Sequence, residues 1–161
     1  MKSNETRTRA LVLGGGGVAG VAWELGILMG LYDTGVDVRG ADIIIGTSAG
    51  SVVGAQITSG TDLETLFTSQ LTPVEQTKER KVEFDPVQMM EAFSQAVAGA
   101  GPDPKAIRAR IGAYALAVPA IPEAERRAII ETRLPVHTWP QPRLLIVAVD
   151  TETSLPDTFS K

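Results

Sequence analysis

A chain of 161 residues with 43% hydrophobic and 21% charged residues has the make-up of a soluble globular protein, and its length favours one compact domain over two. A net charge of -4 argues against a nucleic-acid surface, and the absence of cysteine removes disulfides, thiolate metal sites and cysteine nucleophiles. No apolar run approaches the roughly 18 residues of a spanning helix, and the one behind Lys2, Arg7 and Arg9 is too short for a signal peptide, so the reading is a cytoplasmic chain that meets lipid only from the aqueous side.

In chain order, Ala10 to Leu13 is an apolar run of strand formers that ends at Gly14 to Gly17. The apolar pattern resumes at Val18, Val21, Ala22, Leu25, Leu28 and Met29, which predicts a helix ending near Tyr32 to Gly35. Asp42 to Ile45 reads as a second buried strand broken by Gly46, and Val52 to Ile57 as a second helix closed by Ser59-Gly60. Strand and helix alternate over short connections, so the fold class expected is α/β with a mainly parallel sheet. Thr61-Asp-Leu-Glu64 fits a capping box at the head of a further helix running to about Leu71. From 84 to 135 a helical insertion is expected, with helices around Val87 to Ala98, Asp103 to Ala117 and Pro122 to Leu134. Arg143 to Val149 returns to a strand, followed by a polar tail. The domain reading is one domain over 1–161 with 84–135 inserted in it. Met89, Met90, Phe93, Val97, Ile107, Ile111, Tyr114 and Leu116 recur at helical spacing, which predicts core packing before it predicts an acyl-chain channel.

Three features bear on chemistry. Gly46-Thr47-Ser48-Ala49-Gly50 fits G-x-S-x-G between a strand and a helix, where small residues on either side of a serine let the backbone turn sharply and hold Oγ out at the sheet edge. The competing reading is a serine cap at an ordinary helix start. Gly14 to Gly17 with Gly20 can be written as G-x-G-x-x-G, but a dinucleotide site needs an acidic residue closing the second strand, and neither Asp37 nor Asp42 is so placed. No G-K-[ST] follows for a phosphate loop. The better reading is that backbone N–H groups of Gly15, Gly16 and Gly17 form an oxyanion hole, since residues without side chains let a substrate carbonyl reach the main chain. The third feature is that His137, in a loop before the last strand, is the sole histidine. A serine nucleophile here would therefore take a carboxylate as base, and that carboxylate would need desolvation and close contact to act.

Together these residues resemble the patatin-like phospholipases and acyl hydrolases, whose glycine-rich oxyanion stretch follows the first strand and whose G-T-S-A-G follows the second, as Gly14 to Gly20 and Gly46 to Gly50 do. The resemblance implies a three-layer α/β/α fold, a Ser-Asp dyad with Ser48 as nucleophile, the N–H groups of Gly15, Gly16 and Gly17 as oxyanion donors, and no cofactor or metal. It implies a lipid or ester substrate and a peripheral contact with a membrane surface. Two departures stand out: Ala19 occupies a position where the family commonly has Arg or Lys, and no Asp-Gly pair exists to match the family's D-G-[GA] element, Asp150 and Asp157 being the late aspartates. The expectation is a truncated domain whose aspartate lies in a C-terminal remainder of the same protein, the alternative being a catalytically silent lipid-binding or interaction module.

Overall fold

The computed structural model describes residues 8–72, 86–119, 121–140 and 143–161. Lys2, Arg7 and the expected start of the insertion at Phe84 lie outside them. The described chain holds β1 (Ala10–Leu13), α1 (Gly17–Asp33), β2 (Ile43–Gly46), α2 (Ala49–Ile57), α3 (Leu63–Ser69), α4 (Pro86–Ala100), α5 (Pro104–Ala117), α6 (Glu123–Arg133), β3 (Arg143–Val149) and β4 (Pro156–Phe159). This is the α/β class expected. The strands form one sheet in the order β1-β2-β3-β4. Its first three are parallel, with Leu13 beside Gly46 and Gly46 beside Ile146. Such pairing requires a crossover between strands, which α1 supplies between β1 and β2.

Two compact units make up the chain. The first combines Met1–Lys78, Ile130–Val147 and Thr158–Lys161; the second combines Glu79–Ile129 and Ala148–Asp157. In the first, the alternation of each strand sends Leu13, Ile44 and Leu144 into a core with Val21, Leu25 and Leu28 of α1, Val52, Val53 and Ile57 of α2, and Leu63 and Leu66 of α3. Leu25, Ile44 and Val53 are fully buried. Gly35, at φ 84, lets the chain leave α1, and its N–H closes on the Tyr32 carbonyl at 2.9 Å. The loop behind it is braced by Arg39, which pairs with Asp37 at 2.8 Å and lies 5.0 Å from the centre of the Tyr32 ring.

Helix α2 lies close on the sheet because Gly50 and Gly54, one turn apart in it, carry no side chain. A Cβ on Gly50 would fall on the Leu13 carbonyl, and one on Gly54 would come within 2.9 Å of Leu144 Cδ1. The cap of α3 differs from expectation: Asp62, not Thr61, is the N-cap, its carboxylate accepting the Thr65 N–H at 3.1 Å. Either residue type caps well, and the chain enters the helix one residue later than the capping-box pattern implies. Strand β4 was also unexpected, lying in what reads as a polar tail.

In the second unit α4 and α5 pack against each other. Arg110 Nη1 donates to the Gly99 carbonyl at 3.3 Å across that seam, where a Cβ on Gly99 would collide with the guanidinium. Asp103 caps α5 through the Lys105 N–H at 2.9 Å, and Arg108 Nε reaches the Ser154 carbonyl at 2.8 Å. None of the eight residues of the apolar stripe expected to be core is fully buried: Met89, Ile107, Ile111 and Tyr114 are half-buried, Met90 and Leu116 are 64% and 73% exposed, and Phe93 and Val97 are exposed too. No helix among the described residues is long and apolar enough to cross a membrane.

Candidate active site

The turn from β2 into α2 places Ser48 at φ 53, ψ -112, a region L-residues seldom adopt and which costs about 1–3 kcal/mol. Backbone bonds hold it there. Thr47 N–H donates to the Leu13 carbonyl at 3.2 Å, Gly50 N–H to the Gly14 carbonyl at 2.8 Å, and Ser51 N–H to the Ser48 carbonyl at 3.0 Å. The flanking glycines are forced by contact: a Cβ on Gly46 would lie 2.6 Å from the Gly50 carbonyl carbon, and Gly50 sits against Leu13. Ser48 occupies the N-cap position of α2, yet its side chain makes no capping hydrogen bond, and the residue is exposed. That observation removes the helix-cap reading, because a capping serine would have its Oγ on an N–H of the first turn.

The glycine loop runs alongside. A Cβ on Gly15 would stand 3.7 Å from Ser48 Cβ, and one on Gly20 would stand 3.2 Å from Ala49 Cβ, so the loop and the start of α1 lie against the serine turn. Among the described residues no acceptor takes the N–H of Gly15 or Gly16. Gly17, at φ 61, begins α1, whose N-cap Gly16 offers no side chain to its orphan N–H groups. Gly14 to Ala19 are exposed. The first turns of α1 and α2 therefore present unpartnered backbone donors, with the positive ends of two helix dipoles, at one exposed edge of the sheet. Of the α2 donors, the N–H groups of Gly50 and Ser51 are already engaged, which narrows the set.

The other residues weighed from the sequence lie elsewhere in use. Asp42 accepts the Arg9 N–H at 2.7 Å where β1 and β2 begin, and Asp37 is paired with Arg39, so neither serves a ribose. His137 Nε2 lies 3.0 Å from the Glu131 carbonyl oxygen. Asp150 is folded into its own turn: its Oδ1 accepts the N–H and the hydroxyl of Thr153, at 2.6 and 2.8 Å, and the Glu152 N–H at 3.0 Å. The Thr153 N–H in particular holds that carboxyl below the usual carboxylate range. One residue near the loop escaped the sequence reading. Glu24 of α1 is only 6% exposed, and burial raises its carboxyl above the ordinary 4.5 while the Gly14 N–H acts against that rise. The signal was present: it is the single charge between Gly17 and Tyr32.

Comparison with known proteins adds to this geometry. Among curated proteins none matches the chain. Among solved structures, the crystal structure of type III effector protein ExoU is similar at 19% identity and a TM-score of 0.41, over 96% of this chain and 35% of that one. The chain thus spans little more than a third of that protein's length. The family model of the patatin-like phospholipases matches residues 11–154, from within β1 through the glycine loop and the Ser48 turn to beyond β3. By that match, over most of its length, the chain belongs to the patatin-like phospholipase family.

Proposed function

We propose that the protein is a lipid acyl hydrolase in which Ser48 is the nucleophile. The observation that carries this reading is Ser48 itself: exposed, held at φ 53 between strand and helix, with a side chain that does no capping. Oγ attacks the acyl carbonyl carbon, its proton passes to a carboxylate base, and the carbonyl π electrons move onto oxygen as a tetrahedral oxyanion. The N–H groups of Gly15, Gly16 and Gly17 receive that oxyanion, each such donor contributing about 3–4 kcal/mol in comparable sites. Collapse expels the alcohol, which takes up the proton, and leaves an acyl-serine that water then hydrolyses. The base is read as the aspartate of a Ser-Asp dyad lying outside these 161 residues; supporting this, no Asp-Gly pair occurs in them and Asp150 is engaged in its own turn. On this reading the 161 residues alone turn over little substrate, the chemistry uses no metal or organic cofactor, and the protein works at the surface of lipid on the cytoplasmic side.

A fluorophosphonate probe on the full-length protein tests the assignment. Labelling is expected at Ser48 and lost in Ser48→Ala, with kcat for a short-chain ester falling by a factor on the order of 10⁶, as when a serine nucleophile is removed outright. Labelling that persists in Ser48→Ala refutes the nucleophile. An unlabelled full-length wild type points instead to a silent lipid-binding module.

A further inference from the structure

Helix α4 turns large apolar side chains to water. Over Pro86–Ala100 its one charged residue is Glu91. Val87, Met90, Phe93 and Val97 recur every three or four residues along one face, and all four are exposed, from 42% for Phe93 to 65% for Val87. A shallow groove lined by Val87, Met90, Glu91, Ser94 and Gln95 runs beside them. A contiguous apolar face of this kind marks a place of interaction.

Helix α5, packed against α4, adds charge of one sign. Between Pro104 and Pro122 the only charged residues are Lys105, Arg108 and Arg110. Arg108 Nε and Arg110 Nη1 donate to the carbonyl oxygens of Ser154 and Gly99. A carbonyl carries no net charge, so these bonds fix the two guanidinium groups without neutralising them. None of the three cations pairs with a carboxylate among the described residues. Lys105 and Leu116 lie three turns apart on one face of α5, both exposed, with exposed Ala109 and Ala113 between them. Within a chain of net charge -4, the α4–α5 pair thus joins an exposed apolar face to unpaired cations.

That combination selects among occupants. A second copy would bring two sets of cations to one interface, where like charges repel. An anionic bilayer matches both parts: apolar side chains enter the acyl boundary, while Lys and Arg lay their stems along it and carry charge to the phosphates. We propose that the α4–α5 pair docks on the surface of an anionic phospholipid bilayer, with Met90 and Phe93 entering it and Lys105 and Arg110 meeting headgroup phosphates. The proposal deepens the hydrolase reading, from which it takes lipid as the partner; the docking itself needs no turnover.

The test uses the full-length protein carrying Ser48→Ala, so that no lipid is consumed. It measures co-sedimentation with vesicles of phosphatidylcholine alone or mixed in equal parts with phosphatidylglycerol. Binding to the mixed vesicles is expected to be tighter by about ten-fold or more and to weaken as salt is added. Met90→Gln together with Phe93→Gln, both at exposed positions, should lower that affinity by about ten-fold or more. Lys105→Glu should lower it by about ten-fold on mixed vesicles and leave binding to phosphatidylcholine unchanged. Undiminished binding by the double variant overturns the proposal, as does equal binding to both kinds of vesicle. So does a dimer, seen by light scattering, that the double variant takes apart, since the face then belongs to a second copy. If the double variant does not fold, Lys105→Glu decides alone, and unchanged binding to mixed vesicles overturns the proposal. With Ser48 restored, a protein that hydrolyses a soluble short-chain ester but binds no vesicle defeats the docking alone. One that binds mixed vesicles but neither hydrolyses the ester nor takes the fluorophosphonate label defeats the hydrolase reading alone.

Discussion

At Glu24 and Ser48 the molecule places side chain and backbone where neither is at its lowest free energy. Native Glu24 holds its proton to a higher pH than the unfolded chain does, because removal from water disfavours the carboxylate. Above the ordinary value of 4.5 the native state therefore binds more protons than the unfolded state, and stability falls as pH rises toward the raised native value, then levels off. Glu24→Gln abolishes that titration. The variant should match the wild type in urea denaturation at acid pH, where Glu24 is protonated in both states, and exceed it once the pH has passed above the ordinary carboxylate range. A stability difference that does not vary with pH contradicts this. Ser48 shows the same pattern in backbone form: an unfavourable φ held by bonds from Thr47, Gly50 and Ser51.

Helix α2 explains why G-x-S-x-G has glycines where it does. Gly50 and Gly54, one turn apart, bring the helix down onto the sheet, Gly46 at the end of β2 leaves room for the Gly50 backbone, and a methyl at Gly50 has only Leu13 to meet. Gly50→Ala should destabilise by about 1–3 kcal/mol or more, since backbone must move to admit it. Urea denaturation measures this, and labelling of Ser48 should fall in parallel because the Leu13 carbonyl that must move accepts the Thr47 N–H of the serine turn. Strands β1, β2 and β3 and the helices were legible from apolar runs punctuated by glycine and proline, signals that depend on local chain geometry. The cap of α3 was not, because Thr61 and Asp62 are both able caps and only the entry angle of the backbone chooses between them. Nor was β4, since Pro156-Asp-Thr-Phe159 is exposed throughout and carries no alternation. Ser48 could be suspected from five letters; that its side chain leaves the helix uncapped required φ and ψ.

Over the whole chain, the first unit is assembled from segments far apart in sequence, and Leu144 is where they meet. Fully buried, it packs from β3 against Gly54 of α2 beside Ile44 of β2. Leu144→Ala should cost about 2–5 kcal/mol, the usual range for a leucine whose surroundings cannot collapse into the void. A urea transition shifted by less than about 1 kcal/mol would mean that β3 is not integral to this core. Helical spacing in α4 and α5 identified an apolar face correctly but not what it meets, because periodicity reports orientation and carries no information about the neighbour. Exposure of Met90, Phe93 and Leu116 is a tertiary fact. Glu24 shows the same limit: the sequence marks it as the one charge on α1 before Asp33, but its burial is a tertiary fact.

The register of β2 on β3 pairs Ile43 with Arg143, so α3 through α6 all lie inside the loop which that pairing closes. Closing a long loop grows costlier only with the logarithm of its length, about 0.6 kcal/mol for each doubling. Evolution is therefore nearly free to lengthen, shorten or replace the stretch between α3 and β3. The residues around Ser48 are all contributed by β1 to α2, upstream of that stretch. Diversification within this lineage should accordingly concentrate between α3 and β3, with the distance from the glycine loop to the serine turn almost invariant in length.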